Sequence, residues 1–191
     1  MPDAGRIIAG TARGIRLEAP PDGTRPLTDR VKEALFAALE SAGALGGPFL
    51  DLFAGSGAAG IEALSRGAPR ATFVERDGKA CHVIGENLRR AHLEVNGDVV
   101  RAEAVSFLLG GAAQKRDPFQ TAVVDPPYGD QILERALDLL GDRERRWLTD
   151  DATVVAKHFW KDEPPETAGT LSRTRQKRFG ETMLSFYTQN R

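Results

Sequence analysis

From residue 49 to residue 158 one unit repeats along the chain: a short apolar run, a turn, then a longer amphipathic stretch. The apolar runs fall at 49–53, 71–75, 99–102, 121–125 and 153–158, and the helical stretches at 58–66, 78–91, 104–109 and 130–140. Strands that alternate with helices are joined by right-handed crossovers, so the pattern demands an α/β fold with a mostly parallel sheet covered on both faces. Two regions break the unit. Residues 170–188 hold two strand-like segments around Phe179-Gly180 with no helix between them, which adds an antiparallel edge. Residues 6–18 hold two branched segments around Gly10 and Gly14, a hairpin or a pair of small strands. Thr28 or Asp29 then caps a helix to about Ala42, with Val31, Leu35, Ala38 and Leu39 on one face. The expected organisation is an N-terminal appendage at 1–45 on one α/β domain at 46–191, with 161–169 as a loop.

Composition narrows the class. At 191 residues, 41% hydrophobic and 28% charged, the chain can bury a real core. Its single cysteine, Cys81, excludes an intrachain disulfide and a cysteine-cluster zinc site, and suits a reducing compartment. His82, His92 and His158 lack metal-ligand spacing, so no metal is expected. There is no apolar run of membrane-spanning length and no signal-peptide layout, which leads us to expect a cytoplasmic protein. The net charge of −1 is uneven: residues 1–30 carry +1, residues 171–191 carry +4 and the body between them −6. A basic tail on an acidic body is compatible with a polyanionic partner, although a solvated tail would look the same.

The first strand runs into Asp51-Leu-Phe-Ala-Gly55-Ser-Gly57-Ala-Ala-Gly60, and Glu75 ends the second strand 20 residues after Gly55. Gly55, Gly57 and Gly60 match a nucleotide-binding glycine turn, in which Glu75 accepts ribose hydroxyl hydrogen bonds. Asp51 bears on which nucleotide. A carboxylate just before the turn crowds a pyrophosphate but favours S-adenosylmethionine, which carries a sulfonium and an ammonium. Glu103 and Ala104, at the end of the third strand, stand where they edge an adenine. Phe53 beside the turn and Arg76 after Glu75 complete the expected cofactor contacts.

The fourth strand ends in Asp125-Pro126-Pro127-Tyr128. Paired prolines stop a strand and fix its turn. An exocyclic amino group on a nucleobase is a poor nucleophile because its lone pair is delocalised into the ring. The Asp125 carboxylate and the Pro126 carbonyl can accept both amino hydrogens, draw the nitrogen toward tetrahedral geometry and stabilise the positive charge that develops on it. Tyr128 can stack on the base.

Together the glycine turn and the DPPY stretch resemble those of S-adenosylmethionine-dependent amino-methyltransferases. The N-terminal RIIAGTARGIRLEAPPDGTRPLTDRVKEALFAAL and the closing KRFGETMLSFY are similar to the corresponding parts of the RsmD family, so the resemblance covers nearly the whole chain. It implies a seven-stranded Rossmann-like sheet with the last strand antiparallel. It also implies catalysis at Asp125, Pro126, Pro127 and Tyr128, and cofactor contacts at Asp51, Gly55, Gly57 and Glu75. The implied reaction is methylation of guanine N2 in 16S ribosomal RNA, at guanine 966, within a partly assembled 30S particle. Leu27 stands where the family often has Thr, and Glu103 where Asp is usual. Candidate RNA contacts are Arg13, Arg25, Thr28 and Arg30 near the start, with Arg16 beside them. Near the end they are Lys177 and Arg178, with Arg173 and Arg175 beside them. A monomer is expected. The rival readings are an amino-methyltransferase acting on another RNA or on DNA, a non-catalytic RNA-binding module, and an NAD-dependent oxidoreductase.

Overall fold

The computed structural model describes residues 3–21, 27–110, 117–127 and 131–190. A two-stranded antiparallel ribbon, β1 (Asp3–Arg6) with β2 (Arg16–Glu18), precedes helix α1 (Asp29–Ser41). The repeating unit follows as β3 (Phe49–Leu52), α2 (Ala58–Ser65), β4 (Ala71–Glu75), α3 (Gly78–Ala91), β5 (Gly97–Arg101) and α4 (Ala104–Leu109). It continues through β6 (Phe119–Val124), α5 (Ile132–Leu140) and β7 (Leu148–Phe159). Three strands close the chain: β8 (Thr167–Ala168), β9 (Leu171–Phe179) and β10 (Thr182–Gln189).

The main sheet has the order β5-β4-β3-β6-β7-β10-β9-β8. Strands β5 through β7 are parallel, and β10 runs antiparallel between β7 and β9. The family resemblance implies seven strands; the eighth is β8, two residues inside the stretch read as a loop. It pairs with the start of β9 (Thr167 opposite Ser172, Ala168 opposite Leu171) through a turn at Gly169, whose φ is +57°. A two-residue strand has no periodicity for a sequence to display.

Each face of the sheet has its own core. On one side α1, α2, α3 and the N-terminal segment pack over Phe49, Phe73, Val123, Val155 and Leu184. On the other, α4 and α5 pack over Leu50, Leu52, Val124 and Val154, around Trp147, whose indole donates to Leu108 O at 3.1 Å. The N-terminal segment is tied to α2 by a buried carboxylate. Glu62 accepts from the N–H groups of Ile8 (2.8 Å) and Ala9 (3.0 Å) and from Arg66 (2.8 Å), with Lys32 Nζ at 3.7 Å. Lys32 and Glu62 are fully buried, and Lys32 also donates to the carbonyl of Arg6. Asn87 on α3 joins β2 to the glycine turn: it accepts from Glu18 N–H and donates to the carbonyls of Glu18 and Ser56.

Candidate active site

The sheet order reverses between β3 and β6. Adjacent parallel strands there send their connections in opposite directions, and open α/β sheets bind ligands in the crevice this leaves at the strands' carboxyl ends. Here the chain leaves β3 through Phe53 at φ +72°, an uncommon backbone state for a bulky residue. The turn is pinned because the N–H groups of Phe53 and Ala54 both donate to Val74 O, at 3.1 and 3.0 Å. The three glycines then play different parts. Gly55, at φ +55°, faces open space, since a Cβ there would meet nothing within 4 Å. Gly60 is a packing residue: its Cβ would lie 2.3 Å from the Phe73 ring. Gly57 takes φ +78° as the cap of α2 and offers no side chain to the helix.

Asp51 supplies that cap from the neighbouring strand, accepting from Gly60 N–H at 2.8 Å. It is buried, and this burial, with Asp125 and Glu75 nearby, pushes its carboxyl up to about 7 despite the Gly60 hydrogen bond. Glu75, at the end of β4, accepts from Gly55 N–H and Asp77 N–H, both at 2.9 Å. It therefore braces the glycine turn as well as lining the cleft. Glu103 caps α4, accepting from Val105 N–H (3.1 Å) and Ser106 N–H (2.8 Å). Burial works against its charge, but these hydrogen bonds and Arg76 outweigh burial and hold the carboxyl below its usual value.

Asp125 follows β6 at the same edge. Both of its carboxylate oxygens accept from Lys157 Nζ on β7, at 2.7 and 2.9 Å. Burial pushes the Asp125 carboxyl up, and Lys157 pulls it part of the way back. Pro126 is buried and Pro127 exposed. These groups open on a cleft of about 860 Å³ that runs from Gly55, Glu75 and Arg76 past Glu103 and Ala104 to Asp125, Pro126 and Pro127. A smaller cavity of about 40 Å³ continues it between Asp51, Phe53, Gly55 and Asp125. Pro20, Leu27, Thr28 and Val31 of the N-terminal region wall the cleft on one side, and Phe179, Glu181 and Thr182 of the β9–β10 hairpin on another.

Known proteins resemble this chain over most of its length. The family model described as conserved hypothetical protein 95 matches residues 5–188. The ribosomal RNA small subunit methyltransferase D of Escherichia coli (strain K12) is 39% identical over 184 residues, which is 95% of this chain and 88% of that protein. The chain belongs to the RsmD family. YlbH of Bacillus subtilis (strain 168) is 40% identical over 189 residues, 95% of this chain and 97% of YlbH. The solved yhhF structure from Escherichia coli superposes with a TM-score of 0.83 at 38% identity, over 97% of each chain.

In this RsmD-family chain the cofactor candidates Phe53, Gly55, Glu75, Arg76, Glu103 and Ala104 all line the main cleft, and Asp51 lines the small cavity. Gly57 shapes the turn and packs against Ile84 and Ile61. Of the catalytic candidates, Asp125, Pro126 and Pro127 share the cleft, and Tyr128 lies outside the described residues. Among the RNA candidates, Thr28 is both the cap of α1 and part of the cleft wall, while Arg13, Arg30, Lys177 and Arg178 are exposed. Arg25 lies outside the described residues. Three of these basic residues donate within the protein, Arg178 to the Gly180 carbonyl at 2.8 Å among them. Arg16 pairs with Asp3, and Arg173 turns toward its own loop, to Pro164 O and Glu163 Oε1 (both 3.0 Å). Sequence reading passed over Lys157, because its signal depends on the register of the assembled sheet. Aligned in register, Thr121-Ala-Val-Val-Asp125 and Thr153-Val-Val-Ala-Lys157 end in opposite charges at the same step.

Proposed function

We propose that this chain methylates the exocyclic N2 of a guanine in small-subunit ribosomal RNA, guanine 966 of 16S RNA in a partly assembled 30S particle, with S-adenosylmethionine as methyl donor. The single observation that carries the reading is the placement of Asp125 and Pro126 in the same cleft as Gly55 and Glu75. A base amino group and a nucleoside cofactor can meet there. The residues suit this cofactor. Gly55 leaves room beside the turn, Glu75 stands at the strand end where ribose hydroxyls are gripped, and the inner end of the cleft gathers the acids Asp51, Glu75 and Asp125. Such a site favours a cation and disfavours the pyrophosphate of a dinucleotide, which argues against the oxidoreductase reading. Bound S-adenosylmethionine supplies an electrophilic methyl carbon on a sulfonium.

The chain's own groups do the rest. Asp125 and the Pro126 carbonyl accept the amino hydrogens, localise the nitrogen lone pair and offset the charge that grows on nitrogen. Glu75 fixes the glycine turn through Gly55 N–H and keeps lone pairs for the ribose. The hairpin beside the cleft suits RNA. Lys177 Nζ lies 5.3 Å over the Phe179 ring and the Arg178 guanidinium 3.9 Å over Trp160, so both cations are shelved on aromatic faces at an exposed edge. Arg13, Arg25 and Arg30 extend the same role at the N-terminal side. The chain acts as a monomer in the cytoplasm, where ribosomal particles assemble, with the segment 1–45 serving as cofactor lid and RNA contact.

The test is single-turnover methylation of 30S particles and of naked 16S RNA from cells lacking the protein, with labelled S-adenosylmethionine at saturation. The wild type labels RNA, and Asp125→Asn loses roughly 10²–10³ in rate while retaining cofactor affinity. Near wild-type transfer by a folded Asp125→Ala chain would remove Asp125 from the chemistry.

A further inference from the structure

The inference rests on the amino-methylation reading above. Register carries β6 and β7 one step past the Val124–Ala156 pair, which sets Asp125 beside Lys157. The pair is largely sheltered: the side chains are 21% and 11% exposed. An exposed pair of this kind is worth little, but a sheltered carboxylate that loses its paired cation is left uncompensated. The strand leading to Lys157 is apolar and buried through Val154, Val155 and Ala156, and the lysine that follows turns its ammonium to Asp125.

The surroundings of Asp125 explain why a cation is needed. Asp51 stands on β3, buried and on the same face, close enough that Asp125 disfavours its ionisation. Glu75, Arg76, Asp77 and Lys79 line the cleft from β4 and the start of α3, Glu103 from the start of α4, and Glu181 from the β9–β10 turn. Among the described residues, Lys157 is the cation in contact with Asp125. Burial favours the protonated acid, and Lys157 opposes it. A protonated Asp125 would offer an O–H where the reaction needs an acceptor. Each carboxylate oxygen has two acceptor sites. Lys157 takes one on each oxygen, fixes the carboxylate and leaves the others for amino hydrogens.

We propose that Lys157 is a positioning residue that holds Asp125 in its ionised, acceptor-only form in the orientation the target amino group requires.

The test compares Lys157→Met, Lys157→Gln and Lys157→Arg in the full chain by two readouts. The first is the pH dependence of single-turnover methylation of 30S particles. The second is the carboxyl titration of Asp125, followed by NMR with ¹³C-labelled aspartate, assigned with Asp125→Asn, and needing no RNA. Removing the charge raises the Asp125 carboxyl, so the acid limb of the rate profile should move up by about one pH unit or more in Met and Gln. The rate should recover toward wild type at high pH, KM for the particles should stay within about twofold, and the Asp125 titration should move with the limb. Lys157→Arg keeps the charge and should keep the wild-type limb. A folded Met or Gln variant with an unmoved Asp125 titration overturns the proposal, as does a loss of rate that is uniform across pH. If the wild type transfers no methyl group to ribosomal RNA, the functional reading fails, while the carboxyl titration still decides the role of Lys157.

Discussion

Asp51 combines two positions that a sequence presents as alternatives, the cap of a helix and the wall of a cavity. It caps α2 through Gly60 N–H and, from the same position, lines the cavity beside Gly55. Burial raises its carboxyl to about 7, and this gives a test with a definite sign. An acid whose value is raised in the folded protein is favoured in its neutral form, so folding loses that advantage as pH rises from the ordinary value near 3.8 through 7. A cationic cofactor draws on the ionised form. Affinity for S-adenosylmethionine should therefore rise by about tenfold between pH 6 and pH 8 as the single proton is released. Calorimetry across that range measures it, and Asp51→Asn should flatten the dependence. A wild-type affinity independent of pH would take Asp51 away from the cationic part of the ligand.

At the level of elements, the hairpin of β9 and β10 joins the sheet to one wall of the cleft. Lys177 stands over Phe179, which itself lines the cleft, and Arg178, its neighbour on the opposite face of the strand, stands over Trp160. If both contact phosphates, neutralising them together should make the salt dependence of RNA binding shallower by roughly 1.4–1.8 in slope, and cofactor affinity should not change. An unchanged slope would mean the two charges are solvated. The repeating units were legible because their residues obey a period: 71–75, 78–91 and 104–109 read from the sequence are the strand and helix bounds in the structure. Other strands grew. β7 begins at Leu148 rather than 153, because its first residues, Thr149 to Asp151, are a polar lead-in held by Gln120 and by contacts among themselves. The glycine turn and the acid-proline turn were legible because backbone geometry dictates residue type there. Partners across the fold were not. Lys32 with Glu62, Asn87 with Glu18 and Lys157 with Asp125 join elements distant in sequence, and their register exists only once the sheet is assembled.

Across the whole molecule, the antiparallel edge contains a second buried polar network, unrelated to the cleft chemistry. His158 Nδ1 lies 2.9 Å from the Phe159 carbonyl, which can only accept, so that nitrogen carries the proton. Nε2 is then the acceptor for Ser185 Oγ at 2.8 Å, and Gln176 donates to the same hydroxyl at 3.0 Å. Burial, the largest effect, lowers His158 from 6.5, while its hydrogen bonds work the other way. A lowered histidine contributes stability that is present in full above 6.5 and is lost as pH falls through the lower folded value, because the unfolded chain takes up the proton first. Thermal unfolding followed from pH 8 to pH 5 should show the wild type losing more stability toward the acid end than His158→Gln, because the opposite contribution of Asp51 is common to both. Identical pH profiles would show that the network does not titrate with folding. The cleft and this network lie on one sheet, and the proposed methyl transfer belongs to the cleft. Its most direct test is to identify the methylated atom: digest the RNA labelled by the wild-type chain and determine the modified nucleoside and its position by mass spectrometry. The proposed reaction leaves N2-methylguanosine at a single guanine of the small-subunit RNA, position 966; a methyl group on adenine, on cytosine or on a ring nitrogen or carbon would overturn it.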